Sequence, residues 1–279
     1  MKEQIRQIVS GEPHGLRARN LVREYCQARI LQFLQEAGAF TSWIFHGGTA
    51  LRFLYGLPRY SEDLDFALAS SSDSEDLPRI TASICRSFDA EAYAVDGPRI
   101  RERTTVKSAF ITLPGLFHEL GLSPHRKEAL SVKIELDTRP PDGGLTETTI
   151  IRRYVILNIL HYDKSSMLSG KLHAILMRPY LKGRDLYDLF WYLSDPLWPA
   201  PNFRFLDEAL RQTKWRGPEI TPTNWVAHVI HRLEGIDWPK AVDDVRPLIE
   251  READLSQLTP EIVLKLLETR KLKTTSSTA

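Results

Sequence analysis

Cysteine is nearly absent. The 279 residues hold two, Cys26 and Cys85. That excludes a disulfide-stapled secreted scaffold, and neither cysteine has a metal-ligand neighbour in sequence. Long apolar runs are missing too. No stretch approaches the roughly 20 residues a membrane-spanning helix needs. The start, MKEQIRQIVSGEPHG, lacks the apolar core of a signal peptide. By elimination the expected compartment is the cytoplasm. Charge of one sign is also lacking. The 37 basic and 36 acidic residues leave a formal net charge of +1, so no global field points to a polyanionic partner. A local basic patch would survive that averaging. There is no internal repeat and no low-complexity core segment. Residues 271–279, KLKTTSSTA, have almost nothing to bury and are expected to form a disordered tail.

What is present is an ordinary globular composition, 42% apolar and 26% charged. The length suits one large domain or two modest ones. Leu16 to Ala37 carries apolar residues at helical spacing and reads as an amphipathic helix. Trp43 to Phe45 reads as a short strand ending at His46-Gly47-Gly48-Thr49, and a helix follows, stopping near Gly56-Leu57-Pro58. Strands are expected over Asp63 to Leu68, Thr104 to Leu113, Leu130 to Asp137 and Thr148 to Leu157, with a helix over Ser74 to Phe88. From about Asp163 the texture turns helical. The segments are Ser165 to Arg178, Asp185 to Leu193, Phe203 to Thr213, Asn224 to Leu233, Ala241 to Glu250 and Pro260 to Lys271. The pattern predicts an α+β chain: a mixed β-sheet with helices over residues 1–160, then a helical half over 161–270.

One stretch concentrates chemistry: Phe45 to Phe66, FHGGTALRFLYGLPRYSEDLDF. Gly47 and Gly48 lie between a strand and a helix. Glycine lets backbone approach a phosphate, and a helix start offers unsatisfied N–H groups to an anion. Further on, Asp63 and Asp65 sit two apart on a strand. Alternation puts both carboxylates on one face and Leu64 and Phe66 on the other. Adjacent carboxylates repel unless a cation sits between them, and hard oxygen ligands suit Mg²⁺. Arg59, Ser61 and Glu62 precede the pair, either to touch a phosphate or to form solvated loop. An isolated D-x-D is most simply a polar strand edge. The preceding Gly-Gly turn gives the pair a shared job.

This combination resembles the nucleotidyltransferase-fold signature, a glycine-rich turn followed by a D-x-D pair. More narrowly, GGTAL followed by RYSEDLDF is similar to the AbiEii/AbiGii family of toxin nucleotidyltransferases, which includes the MenT toxins. A second block strengthens the resemblance: KLHAILMRPYLKGRDLYDL, with Lys171, Arg178, Arg184, Asp185, Tyr187 and Asp188. By spacing alone it is equally a solvated helix face with a routine Arg184–Asp188 pair. The likeness runs from about Trp43 to Leu193, and nothing beyond it matches a pattern.

The resemblance implies a nucleotidyltransferase-like sheet whose helical second half completes the active site. It implies transfer of a nucleoside monophosphate from an NTP, with Mg²⁺ as cofactor, to an RNA acceptor such as the 3′ end of tRNA. It also implies a growth-arresting toxin of a toxin–antitoxin or abortive-infection system, with a separately encoded antitoxin. Catalytic roles fall on Asp63, Asp65, Glu135, Lys171 and Asp185, and metal ligation on Asp63, Asp65 and Glu135. Asp137 is the same-face alternative to Glu135. Nucleotide contacts fall on Gly47, Gly48, Thr49, Ser61, Lys171 and Arg178. Two alternatives stay open: phosphotransfer to a protein or small-molecule hydroxyl, and a non-catalytic nucleotide- or protein-binding module. Zinc is not expected, since His228 and His231 lack the context of a zinc site.

Overall fold

The computed structural model describes residues 2–12, 15–70, 76–103 and 105–276. The chain divides into two compact units. The first holds residues 1–140 and 147–161, and the second 141–146 and 162–279. Among the described residues no helix is long and apolar enough to cross a membrane. The α+β character expected from the sequence is what the first unit displays.

The first unit contains α1 (Lys2–Val9), α2 (Gly15–Glu36), β1 (Trp43–His46), α3 (Gly47–Tyr55), β2 (Asp63–Leu68) and α4 (Leu77–Ala90). It continues with β3 (Asp96–Arg103), β4 (Val106–Pro114), α5 (Leu116–Glu119), β5 (Ala129–Asp137), β6 (Thr146–Arg153) and β7 (Val155–Tyr162). The seven strands form one sheet in the order β3-β4-β5-β2-β1-β7-β6. The sheet is mixed: β2 runs parallel to β5 and β1 to β7, while β1–β2, β3–β4 and β4–β5 are antiparallel. Its interior is aromatic around β1 and β2. Phe45 stacks on Phe66 at 5.2 Å between centroids, and Trp43 packs on the same ring at 5.6 Å. Each fully buried aromatic contributes about 1.5–3 kcal/mol.

The structure departs from the sequence reading at several points. Thr148 to Leu157 is not one strand but the middle of a hairpin, β6 turning into β7 at Tyr154. Tyr154 takes φ 60°, a left-handed conformation that a non-glycine residue rarely adopts. Its hydroxyl donates to the buried Glu24 carboxylate at 2.9 Å, which holds it there. The edge strand β3 went unread because it is charged, DGPRIRER, and carries Pro98 where its register with β4 shifts between Asp96 and Arg99. Charge, proline and irregular pairing are how an edge avoids recruiting another strand. Finally, α2 is not a one-faced amphipathic helix. Residues Glu24 to Leu31 are buried without a break. Burial pushes the Cys26 thiol in this run up to about 12, which makes it an inert core residue. The helix expected from Ser74 starts at Leu77 behind Asp76, and residues 71–75 lie outside the described residues.

The second unit is helical: α6 (Lys164–Met177), α7 (Gly183–Ser194), α8 (Phe203–Gln212), α9 (Trp225–Glu234), α10 (Trp238–Val245) and α11 (Pro260–Ser276). Asp163, Asn202 and Asp237 cap α6, α8 and α10 with side chains that accept N–H bonds. Gly183 opens α7 against α10, and a Cβ there would collide with the Ala241 carbonyl. The helix expected over Ala241 to Glu250 ends early, at Val245, because Pro247 follows and a 3-10 turn takes over. The tail expected from Lys271 is helical as far as Ser276, an extension of α11 by propagation, and residues 277–279 lie outside the described residues.

The polar residues buried in α2 brace the first unit. Glu24, 2% exposed, accepts from Arg52 of α3, from Arg153 at 2.8 Å and from Tyr154. One carboxylate therefore ties α2, α3 and the β6–β7 turn together. Removing one member of a buried ion pair costs about 3–5 kcal/mol. Glu24→Ala is expected to lose about that much in urea unfolding and Glu24→Gln less. An unchanged midpoint in Glu24→Ala would show that the cluster is not a brace.

Candidate active site

β1 ends at His46 and α3 begins at once with Gly47. Gly47 sits at φ 79°, open to glycine at no steric cost. A Cβ there would overlap the Asp65 carboxylate, so that carboxylate lies directly against the start of α3. The positive end of a helix favours an anion at that spot. A Cβ on Gly48 would stand 2.7 Å from Arg59 Nη2 and 2.9 Å from Ser61 Oγ. The turn is thus closed in by a carboxylate on one side and by a guanidinium and a hydroxyl on the other. Arg59 is buried and donates to the Tyr60 carbonyl at 2.8 Å. Gln27 of α2, also buried, donates to the Ser61 carbonyl at 3.0 Å and so fixes the approach to β2.

Thr49 is placed differently from the expectation that it meets a nucleotide. Its side chain is wholly buried and its hydroxyl donates to the Asp63 carbonyl, stitching α3 to β2. What it has left to offer a ligand is backbone.

The expected alternation holds along β2: Leu64 and Phe66 are buried, while Asp63 and Asp65 are half-buried on the other face. Parallel pairing with β5 sets Asp63 beside Lys133 and Asp65 beside Glu135. Neighbours in a ladder share a face, so three carboxylates and one ammonium occupy a block of adjacent positions. His46 joins this face as the partner of Asp65 on β1, and Ser108 as the partner of Glu135 on β4. The register also separates the two candidate third acids. Asp137 pairs with Ala67, and its carboxylate accepts the Arg139 N–H at 3.0 Å. Glu135 is the one beside Asp65. Its carboxylate meets Lys133 Nζ at 2.5 Å. Among the described residues no three His, Cys, Asp or Glu side chains are grouped closely enough to hold a metal ion by themselves.

In the second unit, Lys171 projects from α6 toward two aspartates of α7. Its Nζ lies 2.6 Å from Asp188 and 3.6 Å from Asp185. Arg178, the residue after α6, pairs with Asp185 too. Both aspartates are buried, at 2% and 0% exposure, so this is an internal cluster rather than a solvated helix face. By spacing alone Asp188 is the i+4 partner of Arg184; the structure sets its carboxylate on Lys171. Lys171→Met should cost about 3 kcal/mol by leaving buried carboxylates short of a cation. Lys171→Met with Asp188→Asn should recover part of that loss. Denaturant midpoints check both, and a double mutant no better than the single would separate Asp188 from the cluster.

The fold and these arrangements can be set against known proteins. No curated protein matches the chain in sequence. Several solved structures share the fold. One is described as a nucleotidyltransferase from Helicobacter pylori (19% identity, TM-score 0.53, covering 92% of this chain and 96% of that one). A second is JHP933 from Helicobacter pylori (19%, 0.56, 93% and 94%). A third is MenT4, a nucleotidyltransferase toxin from Mycobacterium tuberculosis (14%, 0.57, 99% and 89%). At such identities the likeness establishes the fold. The family model for the nucleotidyl transferase AbiEii toxin of type IV toxin–antitoxin systems matches residues 29–261. That span holds the Gly-Gly turn, the aspartate pair, Glu135 and the Lys171 cluster, and by it the chain belongs to the AbiEii family of toxin nucleotidyltransferases.

Proposed function

We propose that this nucleotidyltransferase moves a nucleoside monophosphate from an NTP to an RNA acceptor, the 3′ end of tRNA, with Mg²⁺ as cofactor. The observation that carries the reading is the β2–β5 register, which lines up Asp63, Asp65 and Glu135 on one face beside the Gly47–Gly48 turn. The donor set fits the ion. Carboxylate oxygens are the hard ligands Mg²⁺ takes, usually one or two together with substrate phosphates. Glu135 already holds a cation, the Lys133 ammonium. Asp63 and Asp65 would hold the metal, with Glu135 as a third ligand once it leaves Lys133. The bound ion would supply charge neutralisation on the phosphates and a lowered pKa for the acceptor hydroxyl.

The chain's own residues do the rest. Gly47 and Gly48 give phosphate oxygens close access to backbone N–H groups at the start of α3. Ser61 and the Arg59 guanidinium stand over Gly48 and donate to the same oxygens. Lys171, Arg178 and Asp185 take part in transfer as well, on the strength of the family pattern, with Asp185 orienting the two cations it pairs with. A cognate antitoxin follows from membership of a type IV toxin–antitoxin family. We place the protein in the cytoplasm, where NTP and RNA are both at hand.

Transfer is tested with each α-labelled and γ-labelled NTP, Mg²⁺ and total RNA. Label from the α-position is expected on tRNA-sized RNA. Label from the γ-position on protein or a small molecule would replace this reading with phosphotransfer. Asp65→Asn should lower transfer about 10³-fold while the protein stays folded, since a bound metal is worth several kcal/mol and each 1.36 kcal/mol is tenfold. Near-normal transfer in that variant would remove the β2 pair from the mechanism.

A further inference from the structure

We propose that Lys133 is an exchangeable counter-ion for Glu135, one that keeps the nucleotide-free protein from taking up a divalent ion tightly. This rests on the metal reading above and adds a residue and an order of events to it.

Lys133 and Glu135 are two apart on β5 and so share a face, and their charged atoms meet at 2.5 Å. Across the ladder Lys133 is the neighbour of Asp63 and Glu135 of Asp65. Carboxylates on adjacent positions repel one another, and the Lys133 ammonium offsets that repulsion at Glu135. Lys133 and Glu135 are 28% and 30% exposed. The pair is therefore partly shielded from solvent yet not locked in the core.

A divalent ion that takes Glu135 must displace this ammonium. Without nucleotide, the displaced Lys133 has no phosphate to turn to, while the ion meets the repulsion of a nearby cation. A triphosphate changes both terms. It brings oxygen ligands for the ion, and it offers Lys133 an anion in exchange for Glu135. Metal and nucleotide then load together, each raising the affinity for the other as linkage requires. Lys133 is in this sense a positioning residue: it holds Glu135 aside until both arrive.

Mn²⁺ binding to the full-length protein, measured by calorimetry with and without a non-hydrolysable α,β-methylene ATP, tests this without reading activity. Wild type should bind Mn²⁺ weakly alone and markedly more tightly with the analogue. Lys133→Met should bind Mn²⁺ alone about tenfold more tightly and lose most of the analogue's effect. Lys133→Arg, which keeps the charge, should resemble wild type, and adding Glu135→Gln to Lys133→Met should cancel the gain. Lys133→Gln replaces Lys133→Met if the latter does not fold. Unchanged or weaker Mn²⁺ binding in the neutral variant would overturn the inference, while loss of binding in Asp65→Asn would leave the metal reading intact. If wild type binds no Mn²⁺ under either condition, the metal reading itself falls, and this inference with it.

Discussion

Everything chemical in the first unit depends on the parallel pairing of β2 with β5. The apolar side chains on the far face fix that register. Leu64, Phe66, Ile134 and Leu136 are all 1% exposed or less. A slip of one residue would turn this whole set out of the core and carry the carboxylates into it, at a cost of several kcal/mol. The hydrophobic effect is non-directional, yet through the pleat it aims four charged side chains at one patch. Repulsion within that patch is a smaller term, since the groups are half-solvated and one of them is a cation. The core wins, and the charge cluster is carried by it.

The same logic explains why so many polar groups are buried away from the patch. Glu24, Gln27, Arg52 and Arg59 are each 2% exposed or less. Each is hydrogen-bonded, as buried polar groups must be. Their bonds converge on the elements that carry the site. Glu24 holds α3 through Arg52, Gln27 holds the loop at Ser61, and Arg59 stands over Gly48. The Gly47–Gly48 turn is thereby held against backbone drift, and rigid support of this kind is what keeps a site within a fraction of an ångström of its working geometry.

Period-two alternation made Asp63, Asp65 and Glu135 legible in the sequence, because each strand there has one buried face. The same alternation was sufficient to find Lys133, two residues before Glu135. It drew no notice because a lysine on a half-exposed strand is unremarkable until its partner strand is known. Long-range partners are the general limit. Arg153 lies 129 residues from Glu24, so nothing local marks Glu24 as a buried brace rather than a surface acid. The β6–β7 hairpin was misread for a different reason. Its turn residue, Tyr154, is neither glycine, asparagine nor aspartate, the residues that usually mark such a turn. Gly-Gly-Thr suggests a ligand loop, and only burial reveals that the Thr49 hydroxyl faces inward, which leaves its backbone for a ligand.

The two charged clusters differ in burial, and the difference bears on their work. In the second unit Lys171 and Arg178 stand against Asp185 and Asp188. Those acids are buried, so the pairing fixes the geometry of α6 and α7. Buried ion pairs serve such specificity better than they serve stability. On the sheet face of the first unit, Lys133 pairs with Glu135 beside Asp63 and Asp65, and both partners of that pair are half-exposed. A buried cluster holds its side chains where they are. A half-exposed pair is free to exchange partners, and in the proposed reaction a metal–nucleotide complex would bring both a cation for Glu135 and an anion for Lys133.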